Sequence, residues 1–312
     1  MIVLRDYQQT LVDDVRAAFQ GNRGVCMVLS TGGGKTATFT YIAENAAAKQ
    51  KYTLIIAHRR KLIHQTSKGF DVPYSYIMQG AEFVPDSMVH LATVQTISRR
   101  LDKLNISPDL IVVDEAHLGL SAAYMKVYAK YPMAKLLLVT ATPERSDGRG
   151  IGEVCQKMVI GIPMKELVKR EHLVPVRVFA PTLVDVSSVP TVKGDYDADA
   201  VSALIDKPTV HGDILAHYRL LAQGRTTLAF ANTVKESNRL AQVFRDNCIR
   251  AESLDAGDTD EFKDEVLARL QRGELDIVFN CQLYIEGLDI PEIDCIMDVS
   301  ATQSVTRYLQ KI

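Results

Sequence analysis

Short, wholly apolar runs alternate along this chain with longer stretches in which apolar and polar residues recur at helical spacing. GVCMVL (24–29), TLIIA (53–57), VHLAT (89–93), LIVV (110–113) and KLLLVT (135–140) predict strands buried on both faces. Helix-like stretches such as 36–48 and 59–68 lie between them. This alternation predicts an α/β fold with a parallel sheet. PERSDGRGIG (143–152) breaks the pattern, and a helix-like IPMKELVKREHL follows it. The alternation then resumes, with strands predicted at 226–230, 250–254, 275–279 and 294–299 and helices at 233–246 and about 260–272. The pattern divides the chain into a first α/β domain over 1–150, a linker over 151–175 and a second α/β domain over 176–312. The final residues Val305, Tyr308, Leu309 and Ile312 fall at the i, i+3, i+4, i+7 spacing of an amphipathic helix that carries no capping residue.

Composition narrows the picture. With 312 residues, 47% of them hydrophobic, there is enough apolar material for two ordinary cores. No apolar run approaches the roughly 18 residues of a membrane span. The N-terminus MIVLRDYQQ lacks the basic-then-apolar layout of a secretory signal, so a cytoplasmic protein is expected. Five cysteines without CxxC spacing read as reduced thiols. A formal net charge of −2 argues against a polybasic binder but leaves room for phosphate contacts from main-chain amides and local basic residues.

Three segments carry candidate chemistry, each directly after an apolar run. In Ser30-Thr31-Gly32-Gly33-Gly34-Lys35-Thr36 the glycines let successive N–H groups converge on a phosphate. Lys35 can reach the outer phosphates and the Thr36 hydroxyl a Mg²⁺ ion. The strict G-x-x-x-x-G-K-[ST] form is not met, because Leu29 stands at the first glycine position. LIVVDEAH sets Asp114 and Glu115 at the C-terminal end of a buried strand, where open parallel sheets bind ligands. Two adjacent carboxylates there divide naturally into a Mg²⁺ partner, Asp114, and a base that orients the attacking water, Glu115. Thr140-Ala141-Thr142-Pro143 places two hydroxyls at a third strand end.

Other chemistries lack support. The seven histidines are dispersed, and no Gly-x-Ser-x-Gly elbow occurs. His58, Arg59, Arg60 and Lys61 open a helix just after strand 53–57, where charge and free amides attract phosphate. Thr93 and Gln95 follow the next strand and can hydrogen-bond a phosphate or sugar. No aromatic-rich stretch stands out as a base-stacking platform, which favours contacts to the nucleic-acid backbone.

Taken together and in this order, the segments resemble superfamily 2 helicases and translocases of the DEAD/DEAH type, in particular the bacterial and phage DNA-repair group. The resemblance runs over nearly the whole chain. LRDYQ (4–8) resembles the adenine-recognition stretch, which implies that Gln8 reads the base edge. STGGGKT resembles motif I, with Thr31, Gly32, Gly33, Gly34, Lys35 and Thr36 around the nucleotide; DEAH (114–117) resembles motif II; TATPERSDG (140–148) resembles motif III. AHRRKLIHQ (57–65) and ATVQT (92–96) resemble motifs Ia and Ib, which implies nucleic-acid contacts by His58, Arg59, Thr93 and Gln95. LAFANTVKES (228–237) and YIEGLDIP (284–291) resemble motifs IV and V. Two RecA-like domains follow, with ATP and Mg²⁺ in a cleft between them and nucleic acid across both. The resemblance makes His117, Thr140, Thr142 and Gln310 coupling residues and Asp289 a nucleotide or interdomain contact.

Two departures stand out. Ile285 replaces the usual Thr of motif V, while Gly287 and Asp289 remain. YLQKI (308–312) resembles the start of motif VI without its arginines, so a chain cut off inside that motif is expected. Such arginines stabilise the phosphoryl-transfer transition state, in related enzymes by about 10³–10⁵ in rate. The resemblance implies an ATP-dependent DNA helicase or translocase in repair, recombination or phage replication. RNA as the track, a restriction-type motor subunit, and an ATP-gated clamp that hydrolyses poorly remain open.

Overall fold

The computed structural model describes residues 2–142, 151–192, 194–281, 283, 290–304 and 308, and for His117 the main chain alone. The chain divides into two compact units, 1–177 and 178–312.

In the first unit, α1 (Asp6–Ala18), β1 (Gly24–Val28), α2 (Lys35–Ala47), β2 (Thr53–Ala57), α3 (Arg60–Ser67) and β3 (Tyr74–Ile77) come first. They are followed by β4 (Val89–Thr93), α4 (Val94–Arg100), β5 (Leu110–Asp114), α5 (Ala122–Lys130), β6 (Lys135–Thr140), β7 (Lys157–Ile160) and α6 (Met164–Lys169). The seven strands form one parallel sheet in the order β3-β4-β2-β5-β6-β1-β7. Strand side chains alternate between two cores. Val25 and Met27 of β1 join Leu11 of α1 and Phe39 of α2 on one face. Cys26 and Val28 join Ile97 of α4 and Tyr124 of α5 on the other. Phe39 is fully buried, and emptying such a position costs about 3–5 kcal/mol. That packing fixes α2, and with it the loop that precedes α2.

The second unit contains β8 (Thr191–Val192), β9 (Asp195–Tyr196), α7 (Ala198–Ile205), α8 (Pro208–Leu221), β10 (Thr227–Phe230), α9 (Val234–Asp246), β11 (Ala251–Leu254), α10 (Asp260–Gln271), β12 (Ile277–Asn280) and β13 (Cys295–Asp298). Its parallel sheet runs β11-β12-β10-β13, and β8 and β9 pair separately as a short antiparallel ribbon. Helices cover both faces: α7, α8 and α9 pack on one, α10 on the other.

The α/β class with parallel sheets is as expected, and the wholly apolar runs are strands to within a residue or two. Residues 151–175 differ from the expected linker. They supply β7, which pairs with β1, and α6, whose Leu167 is buried in the first core. β7 escapes a reading of apolar runs because it is an exposed edge with one buried residue, Val159. Among the described residues no helix is long and apolar enough to cross a membrane.

Candidate nucleotide and nucleic-acid site

Past β1 the chain turns sharply. Gly33 N–H donates to the Ser30 carbonyl (2.9 Å), and Gly32 and Gly34 adopt φ of +73° and +85°. Both need to be glycine for a second reason, which is space. A Cβ on Gly34 would lie 2.2 Å from Gln8 Nε2, and one on Gly32 would lie 2.5 Å from Leu173 Cδ2. The loop is thus wedged between α1 and the segment after α6. Tyr7 Oη and Gln8 Nε2 both donate to the Gly33 carbonyl at 3.1 Å, and Gln8 Oε1 accepts the Arg5 N–H at 2.9 Å. Gln8, expected to read a base edge, is buried and holds the loop itself. Lys35 and Thr36 open α2, whose first-turn amides have no acceptor within the helix. This narrow cradle of glycine, amide and ammonium fits a polyphosphate.

Asp114 closes β5 and is 7% exposed; its Oδ1 accepts the Glu115 N–H at 3.0 Å. Glu115 is left-handed, with φ 54° and ψ 59°. For a residue with a Cβ this conformation costs about 1–2 kcal/mol, and such strain gathers at functional positions. Thr140 ends β6, fully buried. Its hydroxyl donates to the Thr142 carbonyl (2.9 Å) and accepts the Thr142 N–H (3.1 Å), a self-contained turn. The register pairs Asp114 with Val139 and Thr140 with Val28. The acids, the hydroxyl turn and the glycine loop therefore follow three neighbouring strands at one edge of the sheet. At about 4.8 Å per strand, the loop and the acids stand about 10 Å apart across the β6 end, room for phosphates and a hydrated cation.

β2 and β4 continue the same edge, with Ala57 opposite Thr93. His58 and Arg59 lead into α3, and Thr93 caps α4. Gln95 Nε2 donates to the His58 carbonyl at 3.1 Å, and Arg59 Nε donates to His58 Nε2 at 3.1 Å. Thr93 is 5% exposed and its hydroxyl donates to Thr96 Oγ1 at 2.9 Å. The four predicted contact residues are thus neighbours. Asp289, Gln310 and the His117 side chain lie outside the described residues. Among the described residues no cluster of His, Cys, Asp or Glu could by itself hold a metal ion. A Mg²⁺ carried by nucleotide phosphates needs one or two protein ligands, and Asp114 and Thr36 are of the right type. Sequence reading missed Tyr7, His172 and Leu173. The His172 ring lies tilted 5.4 Å from that of Tyr7, and no local pattern marks either His172 or Leu173 as a neighbour of the loop.

A seven-stranded parallel sheet with a glycine-rich loop and paired acids on neighbouring strand ends defines a nucleotide-binding α/β core, followed here by a second parallel α/β unit. Residues 1–145 match the family model described as the res subunit of type III restriction enzymes, and residues 210–312 match the helicase conserved C-terminal domain. The two matches together place the chain among the superfamily 2 helicases. It is 29% identical over 280 residues to a 51.5 kDa protein of a Lactococcus phage (90% of this chain, 60% of the relative). It is 28% identical over 337 residues to the putative ATP-dependent helicase IRC3 of Saccharomyces cerevisiae (99% of this chain, 49% of the relative). The chain therefore spans about half to three fifths of these relatives. The solved structure of the ATP-dependent Type ISP restriction-modification enzyme LlaBIII bound to DNA matches with a TM-score of 0.72 at 20% identity. That match covers 99% of this chain and 26% of LlaBIII. The fold is that of two RecA-like helicase domains.

Proposed function

We propose that this chain is the ATP-hydrolysing core of a DNA helicase or translocase acting in repair, recombination or phage replication. The observation that carries the reading is the juxtaposition of Gly32–Thr36, Thr140 and Asp114–Glu115 on three neighbouring strand ends. ATP brings a phosphoryl group whose transfer to water releases free energy, and Mg²⁺ offsets its charge. The glycine loop and the α2 amides bind the phosphates, and Lys35 adds a fixed cation. Thr36 and Asp114 are the metal-side residues. Glu115 orients water and takes its proton, and its left-handed backbone sets where that carboxylate stands. Gln8 supports the loop, and any reading of the base falls to the hydrogen-bonding capacity its amide keeps beyond the Gly33 and Arg5 bonds. His58, Arg59, Thr93 and Gln95 hold the nucleic-acid backbone. His117, Thr140 and Thr142 of the first unit and Gln310 of the second couple the nucleotide state to movement, and Asp289 of the second unit serves as a ribose or interdomain contact. The proposal takes DNA on the strength of the restriction-enzyme family match and the DNA-bound neighbour, while RNA-bound Dbp5 shares the fold at a TM-score of 0.60.

The test is ATP turnover with single-stranded DNA, duplex DNA and RNA. Stimulation of about tenfold or more by DNA is expected; no stimulation by any nucleic acid overturns the reading. The same two observations favour a second reading, the motor part of a larger DNA-modifying protein. Turnover stimulated by duplex DNA, with no strand separation, would select it.

A further inference from the structure

Aromatic residues from α3, the turn after it and β3 meet on the surface of the first unit, well apart from the glycine loop in the sheet order. The ring of His64 lies 5.3 Å from Tyr76, Tyr76 lies 5.3 Å from Tyr74, and Tyr74 lies 6.2 Å from Phe70. Phe70, Tyr74 and Tyr76 are half-buried against the core and His64 is exposed, so none of the four residues is sealed from solvent. The row is anchored: Tyr76 Oη donates to Ser67 Oγ at 2.7 Å, and Ser67 Oγ donates to the His64 carbonyl at 2.8 Å. Along the same helix, Arg60, His64 and Lys68 recur at i, i+4, i+8 and are all exposed. The rings meet edge-to-face or tilted (66°, 68° and 53°), so each offers its own face rather than one common plane. Rings for bases beside cations for phosphates are the composition of a single-strand binding surface.

We propose that His64, Phe70, Tyr74 and Tyr76 form a stacking platform for bases of a single-stranded nucleic acid whose phosphates lie along Arg60 and Lys68. The proposal rests on the helicase reading and extends it, because the track then reaches from the β2 and β4 ends around α3 to the β3 edge. Charge complementarity selects a polyanion, and the half-exposed rings select one with unpaired bases. No aromatic-rich stretch marks the platform in the sequence, because its rings come from three elements.

The test measures binding of labelled oligothymidylate and oligouridylate to the full chain, with photocrosslinking from iodouracil-substituted strands. Tyr74→Leu with Tyr76→Leu keeps apolar packing and removes stacking. It is expected to weaken binding about tenfold or more, while Tyr74→Phe with Tyr76→Phe stays within about twofold. Arg60→Gln with Lys68→Gln is expected to flatten the salt dependence by about one to two phosphate contacts. Crosslinks to Tyr74 or Tyr76 support the platform. Unchanged binding by the leucine pair, at an unchanged urea midpoint, overturns it; if Arg59→Ala still weakens binding, the helicase reading stands. A wild-type chain that binds neither strand overturns both.

Discussion

The C-terminal edges of the two parallel sheets carry polar residues of different kinds. In the first sheet that edge holds a lysine, two adjacent acids and glycines in left-handed conformations, and Glu115 takes the same conformation at a steric cost that the glycines do not bear. In the second it holds two amides, Asn232 and Asn280, each bonded by neighbouring groups of its own unit. Asn232 Nδ2 donates to both oxygens of Glu236 (3.2 and 3.1 Å), and Asn232 Oδ1 accepts the Ala301 N–H at 3.0 Å. Asn280 Nδ2 donates to the Ala229 carbonyl at 2.9 Å, and its Oδ1 accepts the Leu283 N–H at 3.1 Å. These bonds stitch the ends of β10, β12 and β13 together. Among the described residues, the first edge carries the groups proposed to receive a charged ligand, whereas Asn232 and Asn280 at the second hold their own strands in place. Similar parallel sheets thus need not share a task, and the local hydrogen bonds tell them apart.

Substitutions can break or sharpen this contrast. Lys35→Ala is expected to lower ATP turnover by about 10²-fold or more with the urea midpoint unchanged. Wild-type turnover would move the reactive edge elsewhere. Gly34→Ala forces a Cβ into Gln8 and onto a left-handed backbone. A loss of about 1–2 kcal/mol of stability together with loss of nucleotide binding is expected, seen by denaturation and by a fluorescent nucleotide. At the second edge, Glu236→Ala leaves the buried Asn232 amide without its carboxylate and is expected to cost about 1–3 kcal/mol. Turnover per folded molecule should stay near wild type. A collapse of turnover without destabilisation would give Glu236 and Asn232 a chemical role and end the contrast.

Two buried groups, His90 in the first unit and Glu236 in the second, respond to pH with opposite sign. Burial pushes the His90 imidazole below its ordinary 6.5, against a smaller opposing pull from the Pro85 carbonyl. Its contribution is therefore present above pH 6.5 and lost as pH falls through the depressed folded value. Burial raises the Glu236 carboxyl above its ordinary 4.5, partly offset by its Asn232 and Ser202 hydrogen bonds. That contribution is present below pH 4.5 and lost as pH rises through the raised value. Chemical denaturation across pH should show His90→Phe flattening the first limb and Glu236→Gln flattening the second. These are the smallest effects expected. Histidine His211, also lowered by burial, leaves some acid sensitivity in place.

Much of this was legible in the amino-acid sequence. β1, β2, β4, β5 and β6 are buried on both faces, so their apolar runs are unbroken and their ends easy to place. The loop and the acids follow those ends directly. Edge strands are harder: β3 alternates between buried and half-buried positions and β7 is mostly exposed, so neither forms an apolar run. Contacts between distant segments are harder still. Gln8 against Gly34, and Leu173 against Gly32, join residues that only the folded chain brings together. The same holds for the aromatic row on β3. Residues expected as a linker became part of the nucleotide loop's support for that reason.

Hydrolysis at the first sheet's edge turns on whether Glu115 activates the attacking water. Measuring nucleotide affinity and DNA-stimulated turnover of Glu115→Gln side by side tests it most directly. Activation by Glu115 predicts affinity within about threefold of wild type and turnover reduced by about 10²–10⁴. Wild-type turnover by the glutamine variant would contradict it.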